Sequence, residues 1–175
     1  MKRVLLIALL LVVAISLSFS QIAYKKGDQV GSAMIGLGSF VIESGATGGV
    51  PPISVAYDYG FNENISFGGL LGYTSASEDY GFYSWKWTYI IVGARGAYHY
   101  DLLHKDNIDT YAGLMLGYEI ASFSSTPSYP YAPTYGGFLF SGYAGARYYF
   151  TPNLAAQAEV GFGLALLNIG VAYKF

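Results

Sequence analysis

Six ionisable side chains, Asp58, Arg95, Glu119, Arg147, Glu159 and Lys174, lie in segments whose apolar residues recur at every second position. A period of two means a β-strand, with successive side chains on opposite faces. In each segment the ionisable residue falls on the face of small and polar residues, opposite the apolar face. Three acids and three bases sharing one enclosed face are predicted to form an ion-pair network, because a charge left unpaired away from water is costly. An ion path or a proton-linked gate is the other chemistry such a set could support. Arg95 and Arg147 are expected to be neutralised by Glu119 and Glu159, since the four strands that carry them are consecutive.

The remaining reactive groups point to less. His99 falls on the inward face near one end of its strand and His104 in a turn. A serine hydrolase needs a nucleophile, a histidine and an acid within hydrogen-bond reach at one level, and both histidines map to the end away from the long loops. No catalytic residue is therefore expected. Metal ligands would have to come from scattered loop acids such as Glu43, Glu78 and Asp79, so no metal or other cofactor is expected. Trp85 and Trp87, with Tyr129, Tyr131 and Tyr135, would form an aromatic rim at the opposite end, able to stack on an apolar ligand or a sugar; rings that only mark a membrane interface would look the same.

Positioning these residues takes eight strands. They are predicted over residues 28–42, 53–61, 65–75, 83–102, 110–123, 141–150, 154–163 and 164–175. In the last, Ala165, Leu167, Ile169, Val171, Tyr173 and Phe175 form an unbroken apolar face, opposite Leu164, Leu166, Asn168, Gly170, Ala172 and Lys174. The apolar face is expected to meet lipid and the other to fill a narrow lumen. Short turns at Asn62–Asn64, Leu103–Ile108 and Thr151–Asn153 alternate with longer polar loops after the first, third and fifth strands. ESGATGGVPP and the three-proline stretch SSTPSYPYAPTYG are read as loops. The short turns are predicted to be periplasmic, with both termini, and the longer loops to be outside.

Composition supports a bilayer as part of the solvent. Of 175 residues 53% are hydrophobic and only 11% charged, with 18 Tyr, 11 Phe and 23 Gly; a soluble domain carries roughly 25% charged residues. Residues 1–20 read as a cleavable signal peptide: Lys2 and Arg3, an apolar run, then Ser18-Phe19-Ser20. That run is too short to span a membrane as a helix. Residues 21–175 then form the barrel domain. Without cysteine there is no disulfide, thiolate or lipoprotein chemistry. Loss of Lys2 and Arg3 leaves seven basic against eleven acidic residues, which gives nucleic acid no footprint.

GARGAYHY (93–100), SGYAGARYYFTPNLAAQAEVGFG (141–163) and the final NIGVAYKF resemble the small outer-membrane β-barrel proteins, the eight-stranded group that includes OmpX, OmpW and the OmpA membrane domain. The resemblance implies an all-β, eight-stranded antiparallel transmembrane barrel in outer-membrane lipid; with no catalytic set among the residues, a non-enzymatic monomer is expected. The resemblance also implies that Tyr173 and Phe175 belong to the signal read by the barrel assembly machinery. Two functions fit: a structural or interaction protein with a side-chain-plugged lumen and surface-exposed loops, or a narrow conduit or binding barrel for small or hydrophobic molecules.

Overall fold

Alternation at period two, broken by polar turns, builds an all-β chain. The computed structural model describes residues 23–39, 48–79, 82–126 and 134–175. Within them lie β1 (Gln29–Ser39), β2 (Gly48–Gly60), β3 (Ile65–Asp79), β4 (Ser84–His99), β5 (Ile108–Thr126), β6 (Thr134–Tyr149), β7 (Leu154–Gly161) and β8 (Ala165–Lys174). Each pairs antiparallel with its neighbours in sequence, and β8 pairs with β1 to close the barrel. Among the described residues no helix is long and apolar enough to cross a membrane. The residues assigned to the signal peptide lie outside the described ones.

The pleat sorts the side chains in two. Leu116 is 61% exposed while its neighbour Met115 is 4% exposed. Ile35, Leu37, Val55, Phe67, Leu71, Leu114 and Val171 are likewise more than half exposed on the outer face. Leaving such side chains in water would forfeit roughly 1.5–3 kcal/mol each, so the outer face requires hydrocarbon around it. Closure serves the same end, since a strand edge in lipid leaves backbone groups unsatisfied.

Four details differ from the sequence expectations. The asymmetry between the two ends lies in strand length rather than loop length. Strands β3 to β6 have 15, 16, 19 and 16 residues, beyond the ~9–11 that cross a bilayer. They absorb much of the loop sequence and overshoot at the end remote from Ala23 and Phe175, here the distal end. Second, Pro51 and Pro52 sit within β2, at a register shift against β3 between Val50 and Ile53; a bulge is where a strand tolerates residues that donate no ladder bond. Third, Ala165 is buried against the inner-facing positions Gly36 and Pro52, whereas Leu166 is exposed. The predicted faces are thus exchanged at the start of β8, where pairing skips from Leu37 with Leu167 to Ser39 with Ala165 past Gly38 at φ +69°. Fourth, β7 ends at Gly161, so the distal turn comprises residues 162–164, with Gly163 at φ +124°.

With no native cysteine, single nitroxides can test the belt. A label at Leu116→Cys or Val171→Cys is expected to relax faster with oxygen than with a water-soluble nickel chelate, and one at Lys105→Cys in the exposed β4–β5 turn to do the reverse. Nickel accessibility at Leu116 equal to that at Lys105 would contradict a lipid-facing surface.

Candidate functional site: a charged lumen

The inner face is filled by side chains that meet across it. Asp58 of β2 lies between two arginines: its Oδ1 is 3.1 Å from Nε of Arg95 and its Oδ2 is 2.5 Å from Nη2 of Arg147. Arg95 of β4 also donates through Nη2 to Oε1 of Glu159 at 2.7 Å, and its guanidinium lies 4.2 Å from the centre of the Tyr143 ring. Arg147 of β6 donates to Gln157 Oε1 at 2.9 Å, reaches Asp109 Oδ2 at 3.5 Å, and stands over Tyr111 at 4.7 Å. Glu159 Oε1 further accepts from the Tyr111 hydroxyl at 2.8 Å and the Gln157 amide at 2.9 Å. Ser32 of β1 donates to Gln157 at 2.8 Å. Arg95, Arg147, Asp58 and Glu159 are all 4% exposed or less.

Small residues make the room. A Cβ built on Gly68 would stand 2.7 Å from Asp58 Oδ1 and clash with the Tyr57 carbonyl, so the Asp58 carboxylate occupies space that a side chain at 68 would take. Gly113 does the same for Tyr143, whose ring would be 2.5 Å from a Cβ there. Toward the distal end the charged layer is capped by apolar side chains: Ile91, Met115 and Leu164, with Leu70, Leu139 and Tyr143 against them. Leu164 reaches across from the distal turn to Gly72 of β3.

At the proximal end the layer continues into a second chain of contacts. His99 Nδ1 lies 2.7 Å from Asp109 Oδ1, and its Nε2 is 2.9 Å from Ser66 Oγ. Lys174 pairs with Asp28 at 3.0 Å and stands 4.6 Å over the Tyr149 ring. Four carboxylates, Asp28, Asp58, Asp109 and Glu159, thus face Arg95, Arg147 and Lys174, with the His99 imidazole beside Asp109.

The sequence set is therefore regrouped. Arg95, Arg147, Asp58 and Glu159 come together, and Lys174 joins through Asp28. Glu119 does not. It lies opposite Ile91, four residues up β4 from Arg95, which lies opposite Met115; at about 3.3 Å per residue the gap is roughly 13 Å. Among the described residues Glu119 forms no ion pair, and its predicted role passes to Asp58 and Asp109. Asp109 was missed because the polar run LHKDNID was read as turn, whereas β5 begins at Ile108 and turns Asp109 inward. The period-two signal would have caught it, since Asp109, Tyr111 and Met115 share a parity.

A serine, a histidine and an acid do therefore meet, contrary to expectation. They are enclosed: Ser66 is 2% exposed, the Tyr24 ring covers the imidazole at 3.6 Å, and the pocket beside His99 is lined by His99 and Asp109 but not by Ser66. His104 sits in the β4–β5 turn, 3.4 Å from Asp101, exposed. Among the described residues no three His, Cys, Asp or Glu side chains converge on a metal position. At the distal rim Trp87 and Trp85 pack on Phe123, at 4.7 and 6.4 Å between ring centres. Tyr135 follows on β6 opposite Ala121, while Tyr129 and Tyr131 lie outside the described residues. On the outer face of the β8–β1 seam, the Tyr173 and Phe175 rings meet edge to face at 5.2 Å, and Phe175 N–H donates to the Gln29 carbonyl at 2.9 Å.

Asp58 serves two buried cations, so its loss is expected to be severe. Removing one member of a buried pair costs about 3–5 kcal/mol, whereas replacing a part-exposed carboxylate that forms no ion pair changes stability within about 0.5 kcal/mol. Urea unfolding in lipid vesicles should show a much lower midpoint for Asp58→Ala, while Glu119→Gln stays near the wild type. Equal midpoints would mean that the lumen is hydrated.

No protein-family model matches the sequence, and no curated protein does. Solved structures do match. Ail, the attachment invasion locus protein of Yersinia pestis, crystallised with the heparin analogue sucrose octasulfate, aligns at TM-score 0.56 and 18% identity over 86% of this chain and 99% of its own. The N-terminal β-barrel domain of Pseudomonas aeruginosa OprF aligns at 0.58 and 15%, over 87% and 100%. A transmembrane β-barrel made by de novo design aligns at 0.52 and 19%, over 87% and 99%. That a designed chain shares the architecture separates fold from function. On its closed eight-strand topology and these likenesses, the chain has the fold of the small eight-stranded outer-membrane β-barrels.

Proposed function

We propose that the protein is a non-enzymatic outer-membrane barrel with both termini in the periplasm, whose lumen is sealed by its own side chains and which acts through its distal surface as a structural or interaction protein. The carrying observation is the pair of arginines, each about 1% exposed in its side chain, whose partners come from strands on several sides of the lumen. Side chains meeting across the lumen support a seal, since an entering ion would have to displace ion pairs that are stable only while each charge keeps its partner. The orientation rests on the overshooting strands, since these barrels keep short periplasmic turns and longer extracellular parts. The chain acts as a monomer in outer-membrane lipid, with Tyr173 and Phe175 presented to the barrel assembly machinery on the β8–β1 seam.

Ail was solved with a polyanion. The described distal residues here offer Lys86 against Glu78 and Glu119, so the reading does not extend to polyanions. A second reading, a binding barrel or narrow conduit for small or hydrophobic molecules, draws on the aromatic rim of Trp85, Trp87 and Tyr135. The apolar layer under that rim favours capture at the mouth over passage.

Planar-bilayer recording separates the two. A sealed barrel should give no steady conductance, and Arg147→Ala should introduce one; sustained wild-type channels would favour the conduit. For assembly, Phe175→Ala is expected to reduce the folded, heat-modifiable fraction in the outer membrane, and an unchanged fraction would remove that ring from the signal.

A further inference from the structure

The segment before β1 is built into the barrel rather than hanging from it. Ala23, Tyr24 and Asp28 are buried at 8%, 8% and 5% exposure, while Lys25 and Lys26 between them are exposed. At one end Ala23 packs among Val30, Tyr149, Ala155 and Ala172, and its carbonyl accepts from Lys174 Nζ at 2.7 Å. From there the chain crosses to the opposite wall. The Tyr24 ring lies parallel to the His99 imidazole, 3° between planes and 3.6 Å between centres. Its hydroxyl reaches the carbonyls of Ile65 and Asn62 at 2.7 and 3.0 Å, and can donate to either. The return to β1 is pinned by Gly27 N–H to the Gly60 carbonyl and by Gly60 N–H to the Asp28 carbonyl, both 2.8 Å.

This segment therefore touches β7 and β8 on one side of the proximal mouth and β3 and β4 on the other. Beneath it lie the groups that a hydrated mouth would reach first, His99, Asp109 and Lys174. Beside it a pocket of about 300 Å3 stops at the Tyr24 and His99 rings. Few of its contacts belong to the sheet ladder. One stacked ring, two shared carbonyls, the packing of Ala23 and the Lys174 bond to its carbonyl hold the crossing; none of these is a ladder bond, so it can lift while the barrel stays closed.

We propose that residues 23–28 are a strap that stoppers the proximal mouth, with Tyr24 as its removable bolt, and that the strap sets water and small-ion access to the charged lumen from that side. The inference rests on the sealed-lumen reading, to which it adds a movable part. Hinging at Lys25–Gly27, where the side chains are solvated and Gly27 has φ +87°, would uncover His99 and Asp109 without breaking the Arg95, Arg147 and Asp58 layer.

The absence of native cysteine supplies the test. Ala97 is an inward, buried residue paired with Ser66, one step past His99. In the full-length barrel in vesicles, a single thiol at Ala97→Cys should react with a small cationic methanethiosulfonate at least tenfold more slowly than one at exposed Lys26→Cys. Adding Tyr24→Ala should raise the Ala97→Cys rate about tenfold or more. Tyr24→Phe, which keeps the stacked ring and loses the hydroxyl bonds, should fall between, and it decides the matter if Tyr24→Ala lowers the heat-modifiable folded fraction. An Ala97→Cys rate equal to that at Lys26→Cys, or unchanged by removal of the ring or hydroxyl in the folded variants, overturns the strap. Bilayer recording of the same variants keeps the two readings apart. Faster labelling without conductance supports both the strap and the seal, whereas conductance of the wild type overturns the sealed lumen and leaves labelling to judge the strap.

Discussion

One carboxylate shared by two guanidiniums organises the interior. Asp58 binds Arg95 with one oxygen and Arg147 with the other, and a charge at that depth is tolerable only because each partner has further acceptors. Glu159 and Tyr143 complete Arg95; Gln157, Asp109 and the Tyr111 face complete Arg147. All eight strands contribute to this layer and its proximal extension, from Ser32 on β1 through Ser66 on β3 to Lys174 on β8. The lipid side imposes almost nothing so specific, since any large apolar residue serves there. The inner layer instead fixes which strand faces which, and at what height.

That difference explains what the sequence could and could not say. Strand number, antiparallel order and most inward and outward assignments were legible, because period two is a local signal that the pleat converts directly into faces. Arg95, Arg147, Asp58, Glu159 and Lys174 were placed inside on that basis alone. Their partners were not legible. Pairing depends on the stagger between strands, a global quantity that no single segment encodes, so Glu119 looked as well placed as Asp58 although it stands some four residues too far along. Asp109 was hidden differently, by polar neighbours that resemble a turn even where the ladder has begun. At the start of β8 a glycine with positive φ in the facing strand changed the parity, and a strictly alternating reading could not follow.

The distal half rests on other physics. There Ile91, Met115 and Leu164 cap the lumen in place of ion pairs, and the sheet walls continue past the membrane-spanning height. At its low side β7 ends with Gly161 while β6 begins at Thr134, so the ladder between β6 and β7 runs only from Tyr143 to Tyr149 on β6. On the other flank, β5 pairs with β6 from Ile108 to Ser122. The barrel is therefore uneven in height around its circumference, with charge at the proximal end and aromatic rings at the distal rim.

A lumen whose cations and anions come from all sides cannot be assembled piecemeal. Until β8 meets β1, the carboxylate of Asp58 and the guanidiniums of Arg95 and Arg147 stay on an open sheet, each with its own water. Closure replaces that water with ion pairs. Opening has the same character, because releasing one strand rehydrates several charges together. Slow, all-or-none backbone hydrogen exchange across the proximal half, beside independent fraying of the overshooting tips of β3 to β6, is the dynamic signature of such a construction.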